Sequence, residues 1–260
     1  MGEIIHELMV CDPQRVIDTM SKFFSMTEKS FKQMAVKSNG QDSVLGVRRL
    51  AYGPIVRASG EFSMSLYEVS DQWAEYSVVL PLRLVGEDYL PDFDASKPIA
   101  LRIDSGCSTG QVFGDLTCDC HEQLVNALDY ISTQEQGMVI HIASQDGRGA
   151  GHGDKLKTLY AQRRLQISTV DAATILHGDA QIDFRTYEGV VAILKSLNIG
   201  NVYTIDLLSN NVLKKQILEE NQYRVTSKSI GGKVTPFNRH HLESKKAQLG
   251  HEGILDKVSS

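Results

Sequence analysis

The sequence predicts a mixed α/β (α+β) fold, in which a β-rich N-terminal half packs on a C-terminal half where strands and helices alternate. Between residues 46 and 103, short runs of β-branched and aromatic residues are separated by turn residues. After residue 138, short apolar runs alternate with segments of helical periodicity. With 260 residues and 42% apolar content, the chain can bury one large core or two smaller ones.

Residues 1–45 are predicted to form a helical appendage and a linker. The main domain is expected over residues 46–253, followed by a tail over 254–260. Val16 and Met20 recur at helical spacing, and residues 37–43 are polar. The first residues lack the cationic start and apolar core of a secretory signal, and no apolar run reaches membrane-spanning length. We therefore expect a cytoplasmic protein with no membrane partner.

The later elements each have a sequence signal. Strands are predicted over residues 62–67, 76–80, 99–103, 138–142 and 202–208. A helix is predicted over residues 155–164, and the spacing of Tyr187 and Leu194 predicts another helix with one buried face. Asn210 or Asn211 is expected to cap the helix that follows the last of these strands.

The charge and cysteine content exclude some classes of function. The net charge is −5 with acidic and basic residues interleaved, so we expect no nucleic-acid partner, although a local basic pocket for a small anion is allowed. Four cysteines, three of them clustered, do not make a disulfide framework, and a reducing compartment is expected. Cys11, outside the cluster, is interpreted as an inert thiol.

Three cysteines lie in the run RIDSGCSTGQVFGDLTCDCHEQL. Cys118 and Cys120, one residue apart, can bind one metal ion, and Cys107 can supply a third sulfur across a glycine-containing loop. Three thiolates leave the fourth position of a tetrahedral Zn²⁺ open for water, as in catalytic sites, and zinc lowers the pKa of that water. The alternatives are a closed site with a fourth ligand such as His121, or three reduced buried thiols.

Three other segments contain residues suited to binding anions. Residues 144–154 form a glycine-rich loop between a strand and a helix, where Arg148 could bind a phosphate or a base edge, or the loop could be a flexible turn. Asp183 and Arg185 would face the same side of an extended segment, either as a solvated ion pair or as a base beside a guanidinium. Ser209 and Lys214 could hold phosphate oxygens, or could belong to a capped helix with an exposed lysine.

Together these segments resemble the GTP cyclohydrolase II family, over about residues 46–253. The matching motifs occur in the family's order: Cys107-x10-Cys118-x-Cys120, Gln145-Asp-Gly-Arg-Gly149, Thr169-Val-Asp-Ala172, Asp183-x-Arg185-x-Tyr187, Asn210-Asn211-x-x-Lys214 and a C-terminal run from Asn238 to His251. The resemblance implies hydrolytic opening of the imidazole ring of GTP. C8 leaves as formate, and the two outer phosphates leave as pyrophosphate.

The resemblance also assigns roles to residues. It implies one Zn²⁺ per subunit on the three cysteines, Mg²⁺ on the substrate phosphates, and a homodimer. Arg185 corresponds to the nucleophile that attacks the α-phosphate, Asp183 to the proton acceptor, and Tyr160 to the active-site tyrosine if one residue is inserted before it; otherwise Leu159 takes that place. The positions that match nucleotide contacts are Arg102, Ile103, Asp104, Ser105, Gly106, Gln123, Asp146, Gly147, Arg148, Thr169, Ser209 and Lys214.

The chain departs from the family pattern around the pocket that reads the base. The family's His-Ser-Glu-Cys becomes Asp104-Ser-Gly-Cys107, which removes a carboxylate at Gly106, and its Glu-Gly-Arg becomes Asp146-Gly-Arg148. The leading hypothesis is a cyclohydrolase acting on GTP or a close purine nucleotide. The alternatives are a paralogue that opens another ring, such as that of a uracil nucleotide in pyrimidine breakdown, and a zinc protein that binds nucleotide without turnover.

Overall fold

The fold is built on one mixed sheet of eight strands. The computed structural model describes residues 12–71, 74–178, 182–239 and 242–243. The strands are β1 (Lys32–Ser38), β2 (Gln41–Arg57), β3 (Gly60–Val69), β4 (Ala74–Pro81), β5 (Ile99–Asp104), β6 (Gly137–Ile142), β7 (Thr204–Leu207) and β8 (Arg224–Ser227). Their order across the sheet is β1-β2-β3-β4-β6-β5-β7-β8.

The two halves of the chain meet edge to edge in this sheet. Strands β1 to β4 form an antiparallel meander, and β4 pairs antiparallel with β6. Strands β6, β5, β7 and β8 are parallel, as expected for strands separated by helices. The mixed α/β fold class is therefore confirmed, and the halves are joined by backbone hydrogen bonds between β4 and β6.

Six α-helices lie in the described part of the chain. They are α1 (Pro13–Met26), α2 (Cys120–Thr133), α3 (His152–Leu165), α4 (Thr169–His177), α5 (Glu188–Ser196) and α6 (Val212–Glu220). Helices α5 and α6 cover one face of the sheet and α2 covers the other. Among the described residues, no helix is both long enough and apolar enough to cross a membrane.

The alternation of β5 connects the core with the cavity described below. Ile99, Leu101 and Ile103 are fully buried in the larger apolar cluster, on the face that α5 covers. Because successive side chains of a strand point to opposite faces, Arg102 and Asp104 lie on the α2 side, at the carboxyl end of the strand. Ligands of open sheets with parallel strands bind at such carboxyl ends.

The interpretation of residues 37–43 as a linker is wrong. This stretch contains the turn of a hairpin in which Ser38 pairs with Gln41, and Asn39 and Gly40 have φ angles of 49° and 76°. Asn-Gly is the preferred pair for a two-residue hairpin turn, because both residues tolerate a positive φ. The domain boundary at residue 46 stays a prediction, but β1 and β2 belong to the main sheet.

The predicted strands and helices are found, with differences at their ends. Residues 183–187 belong to no helix or strand, and helix α5 begins at Glu188 instead of near Asp183. Asn211 caps α6, since its side chain accepts from the backbone N–H groups of Leu213 and Lys214. Cys11, the tail over 254–260 and most of the C-terminal run from Asn238 to His251 lie outside the described residues.

Candidate active site

A cavity lies where the carboxyl ends of β5, β6 and β7 meet the loops that follow them. It brings together most of the residues singled out in the sequence. These are Arg102, Asp104, Ser105, Gly106, Cys107, Cys120, Gln123, Asp146, Gly147, Arg148, Thr169, Arg185, Ser209 and Lys214. Four others, Ile103, Cys118, Asp183 and Tyr160, do not line it.

The three cysteine sulfurs converge beside the cavity. The ligand atoms of Cys107, Cys118 and Cys120 lie within 4.8 Å of one another, and the sulfurs of Cys107 and Cys118 are 3.9 Å apart. A disulfide requires about 2.05 Å. Two thiolates on one tetrahedral zinc, each about 2.3 Å from the ion, lie about 3.8 Å apart. The observed separation therefore fits a shared metal ion.

Gly110 leaves room for this cluster. A Cβ atom at Gly110 would lie 2.7 Å from the Cys118 sulfur and 3.4 Å from the Cys107 sulfur. His121, considered as a fourth ligand, instead places Nδ1 3.4 Å from the carbonyl oxygen of Gln111. Within the described ranges, no fourth histidine, cysteine or carboxylate joins the cluster. Among these residues, the three cysteines are therefore the side chains available to one metal ion.

The pKa values of two thiols in the cluster shift in opposite directions: that of Cys107 is lowered and that of Cys118 is raised, chiefly by the hydrogen bond between them. Hydrogen bonds from Cys118 and Cys120 hold the pKa of Cys107 well below its ordinary value, and the charge of Lys155 acts in the same direction. Burial alone would lower the pKa of Lys155, but the charges of the three cysteines outweigh this and raise it. Lys155 lines the cavity together with Cys107 and Cys120.

Asp183 and Arg185 form a close ion pair next to the cavity. Oδ1 of Asp183 accepts from Nε of Arg185 at 2.9 Å and from its backbone N–H at 3.1 Å, and Oδ2 accepts from Nη2 at 2.5 Å. Both side chains are largely buried, so the solvated surface pair considered for the sequence does not occur. Burial opposes ionisation of both groups, but the hydrogen bonds and charge of Arg185 lower the pKa of Asp183, and Tyr187 together with Asp183 raises the pKa of Arg185.

The glycine-rich loop holds this ion pair in place. Gly147, Arg148 and Gly149 all have positive φ angles. A Cβ at Gly149 would lie 2.7 Å from the carbonyl carbon of Phe184, and the N–H of Phe184 donates to the carbonyl of Arg148 at 2.9 Å. The loop is therefore an ordered support for the segment that carries Arg185, in place of a flexible turn.

Two of the residues predicted to contact the nucleotide, Arg102 and Lys214, have their side chains held by hydrogen bonds. Arg102 donates from Nη1 to the carbonyl of Leu208 at 3.0 Å and from Nη2 to Gln123 at 2.8 Å. Lys214 donates from Nζ to the carbonyl of Ile103 at 2.9 Å, and is buried instead of exposed. Ile103 thus contributes its backbone, while its side chain lies in the core.

Tyr160 lies apart from the cavity. Its side chain is 71% exposed, on helix α3, whereas Lys155 and Thr158 of the same helix line the cavity. Its role as the active-site tyrosine stays a prediction. Leu159, the other candidate for this position, does not line the cavity either.

Three residues near the cavity were missed in the sequence. His141 donates from Nδ1 to Asp104 at 2.8 Å, and Gln111 donates to the same carboxylate oxygen at 2.8 Å. Gln111 also accepts from the N–H of Cys107 at 3.0 Å, so it ties Asp104 to the thiolate loop. Lys155 is the third. The contact between His141 and Asp104 follows from the strand register, which pairs these two residues across β5 and β6.

The two departures from the family pattern have structural consequences. Gly106 has a φ of 64°, and a Cβ there would lie 2.9 Å from the carbonyl oxygen of Ile142. The Asp146 carboxylate accepts from the N–H groups of Ser108 at 3.1 Å and Gly147 at 2.8 Å, and from His152 at 3.0 Å. The loop therefore has no room for a side chain at position 106. The carboxylate of Asp146 is already engaged in hydrogen bonds with other groups of the protein.

Fold and site together define a class: an α/β protein with a cavity, lined by several cationic side chains, beside three clustered cysteines that could hold a metal ion. A family model described as GTP cyclohydrolase II matches residues 52–229, and the chain belongs to this family. Members of the family are hydrolases that act on C–N bonds in cyclic amidines.

Curated relatives agree with this assignment. "Riboflavin biosynthesis protein RibBA" of Thermotoga maritima is 34% identical over 224 residues, which are 76% of this chain and 56% of that protein. "GTP cyclohydrolase-2" of Picrophilus torridus is 35% identical over 161 residues, 62% of this chain and 80% of that protein. "GTP cyclohydrolase-2" of Xylella fastidiosa is 34% identical over 170 residues, 64% of this chain and 40% of that protein. This chain thus spans about half of the RibBA relative.

Proposed function

We propose that this protein is a zinc-dependent cyclohydrolase that opens the ring of a purine nucleotide, with GTP as the leading candidate substrate, and releases formate and pyrophosphate. The observation that carries the proposal is the presence, around one cavity, of a three-thiolate cluster and a buried guanidinium–carboxylate pair. The named activity of relatives that are about 34% identical supports the same chemistry.

The cysteine cluster would form the ring-opening end of the site. Cys107, Cys118 and Cys120 would hold the zinc ion, which supplies an activated water when it is bound. Gln111 fixes the backbone of Cys107, and Gly110 allows the sulfurs to approach one another. Mg²⁺, also proposed, would bind with the substrate phosphates.

Arg185 and Asp183 would act at the phosphate end. A nitrogen of Arg185 would attack the α-phosphorus, the bond to the bridging oxygen would break, and pyrophosphate would leave. The pairing in the resting protein stabilises the guanidinium cation, so a proton must pass to Asp183 during the attack, along the 2.5 Å contact between Nη2 and Oδ2. Water would then cleave the phosphorus–nitrogen bond and restore Arg185.

Buried polar groups would bind the substrate phosphates. Lys214 lies in the first turn of α6 and Ser209 lies just before that helix, and both line the cavity. Arg148 lies close to Arg185, and burial together with this like charge lowers its pKa. An anionic ligand would relieve the repulsion between the two guanidinium groups, which supports a phosphate or acidic substituent at this point.

A second candidate is a paralogue that opens another ring, such as that of a uracil nucleotide. It is favoured by the absence of a side chain at Gly106 and by the occupied carboxylate of Asp146. Both features leave the base-reading part of the cavity with fewer free acceptors than the family pattern provides. A site built around one set of hydrogen bonds discriminates strongly against others, so these changes could redirect the substrate.

The test is turnover of GTP, UTP and UMP by protein loaded with zinc and magnesium, with products identified by mass spectrometry. Formate and pyrophosphate from GTP would support the proposal, and ring-opened product from a uracil nucleotide would favour the second candidate. Cys118→Ser should lose zinc and ring opening, while Arg185→Ala should lose pyrophosphate release. Tight nucleotide binding without any product would contradict both candidates.

A homodimer, also proposed, is tested by light scattering of the purified chain.

A further inference from the structure

Asp104, the last residue of β5, is a buried carboxylate that stands where the family pattern has a histidine. His141 of β6 donates from Nδ1 to its Oδ2 at 2.8 Å, and the strand register pairs these two residues. The position of the carboxylate is therefore fixed by two neighbouring strands of the sheet. A buried carboxylate is stable only where its oxygens are satisfied, and two further hydrogen-bonded connections lead from Asp104 toward the cysteines.

The first connection runs through Gln111 to Cys107. Nε2 of Gln111 donates to Oδ2 of Asp104 at 2.8 Å, and Oε1 accepts from the backbone N–H of Cys107 at 3.0 Å. A backbone N–H can only donate, so the amide oxygen of Gln111 must face Cys107 and its NH₂ group must face Asp104. The backbone N–H of Gln111 also donates to the carbonyl of Cys107 at 2.8 Å. Both backbone polar groups of Cys107 are therefore bound to Gln111, whose side chain is oriented by Asp104.

The second connection runs through Arg102 and Gln123 toward the other two cysteines. Nη2 of Arg102 lies 3.4 Å from Oδ1 of Asp104 and donates to Oε1 of Gln123 at 2.8 Å. Nε2 of Gln123 in turn donates to Oδ2 of Asp119 at 2.7 Å. Asp119 is buried and is the single residue between the second and third cysteines in the sequence. This connection therefore reaches the turn that carries both of those cysteines.

We propose that Asp104 is a positioning residue of the metal site, which holds the two ends of the cysteine loop, residues 107–120, at the separation that one divalent ion needs. A site whose ligands are ordered before binding avoids the entropy cost of ordering them when the ion binds. The proposal rests on the zinc site of the proposed function. It gives Asp104 a role different from the nucleotide contact that the family resemblance implies.

The experiment measures zinc affinity by competition with a chromophoric chelator. The variants are Asp104→Asn, Gln111→Met, Gln123→Met and the double variant that combines the first two. Gln136→Met is the matched control, because Gln136 is also a buried, hydrogen-bonded glutamine but lies just before β6, at the opposite end of the same two strands. The absorption of bound Co²⁺ reports on the thiolate geometry, and thermal unfolding of the metal-free proteins reports on folding.

Residues outside the ligand set that support a metal site typically change its affinity by about 10- to 100-fold when they are replaced. Each of the three single variants should therefore weaken zinc binding by about this factor and alter the Co²⁺ spectrum. The double variant should lose less than the product of its two single losses, because Gln111 transmits part of the effect of Asp104. Gln136→Met should bind zinc as the wild type does.

Wild-type zinc affinity in folded Asp104→Asn would overturn the proposal, and so would single losses that multiply in the double variant. If Asp104→Asn does not fold, the two glutamine variants decide, and zinc affinities equal to that of Gln136→Met would overturn it. A raised KM for nucleotide with unaltered zinc affinity would make Asp104 a substrate contact, also against the proposal. Wild-type protein without stoichiometric zinc would instead contradict the proposed function.

Discussion

At the scale of single residues, the close pairing of Asp183 with Arg185 most strongly constrains the chemistry. Two side chains that are two positions apart meet because the Asp183 carboxylate turns back on its own chain, where Oδ1 accepts from both the backbone N–H and Nε of Arg185. The spacing allowed this contact in the sequence, but not its burial. Burial depends on the glycine-rich loop, which closes over Phe184 through Gly149.

Asp183→Asn should reduce pyrophosphate release by about 10²- to 10⁴-fold, because the amide cannot accept the guanidinium proton during the attack. Zinc content should not change, since Asp183 does not belong to the cysteine cluster. Pyrophosphate release is measured by a coupled assay and zinc content by elemental analysis. Asp129→Asn, at a half-exposed carboxylate on α2, is the control. Wild-type release by Asp183→Asn would show that the proton goes elsewhere.

Gly110→Ala should weaken zinc binding, because the added methyl group would lie 2.7 Å from the Cys118 sulfur. Something must shift, and tightly packed sites do not absorb such a shift freely. The control is Gly153→Ala in helix α3, where the added Cβ would meet no atom within 4 Å apart from its chain neighbours and the nearby backbone of its own helix. Zinc affinity and thermal stability are measured for both. Equal zinc affinities would mean that the loop relaxes without moving the sulfurs.

At the scale of elements, the start of α6 connects secondary structure with ligand binding. Asn211 accepts from the N–H groups of Leu213 at 2.9 Å and Lys214 at 3.4 Å, so one cap orders the turn that carries the lysine. The same helix start delivers the Lys214 ammonium to the carbonyl of Ile103. A change in the cap should therefore reach the phosphate-binding end of the cavity.

Asn211→Ala should lower stability by about 1 kcal/mol and raise the KM for nucleotide. Asp12→Ala is the matched control, because Asp12 caps α1, which is remote from the cavity, through the N–H of Gln14 at 3.0 Å. Steady-state kinetics and thermal unfolding are measured for both. If the two variants raise KM equally, the effect is one of general stability and the cap does not position Lys214.

Most elements could be predicted from periodicity, because the buried faces of β3, β5 and α5 repeat apolar residues at the right spacing. The hairpin over residues 37–43 could have been found from Asn39-Gly40, a turn signal that its polar neighbours obscured. Strand β8 could not, since it is a short edge strand with mostly exposed residues and no alternation. The contacts of His141 and Lys155 depend on strand register and helix placement, which local sequence does not determine.

At the scale of the whole molecule, one sheet carries both the apolar core and the cavity. Four tyrosines are buried in it or against it, namely Tyr67, Tyr76, Tyr187 and Tyr223. Burial raises the pKa of each of these hydroxyls, that of Tyr67 to about 12. The folded protein therefore keeps protons that the unfolded chain loses near pH 10.

The contribution of these tyrosines to the free energy of unfolding should accordingly stay constant below about pH 10 and fall as the pH rises toward 12. Unfolding temperatures measured between pH 8 and pH 11.5, with tyrosinate absorbance as a second readout, check this. Tyr223→Phe removes a hydroxyl that donates to the carbonyl of Ile199 at 2.7 Å. This variant should be less stable at pH 8 but should lose less stability in alkali. Complete tyrosinate formation in folded protein at pH 10.5 would contradict the expectation.

The hairpin of β1 and β2 is bound to the far end of the chain. The N–H of Lys37 donates to Asn221, which is 184 residues away, Ser38 donates to Glu188, and Asn39 donates to Glu220. During synthesis the first strands must therefore wait for α5 and α6 to leave the ribosome before they gain these partners, and such distant closures slow folding. The family match begins only at residue 52, but a shortened chain beginning at residue 46 would lack β1 and the Val36 side chain that packs in the same apolar cluster as α5. Truncation at residue 46 should therefore expose this apolar surface and cause aggregation.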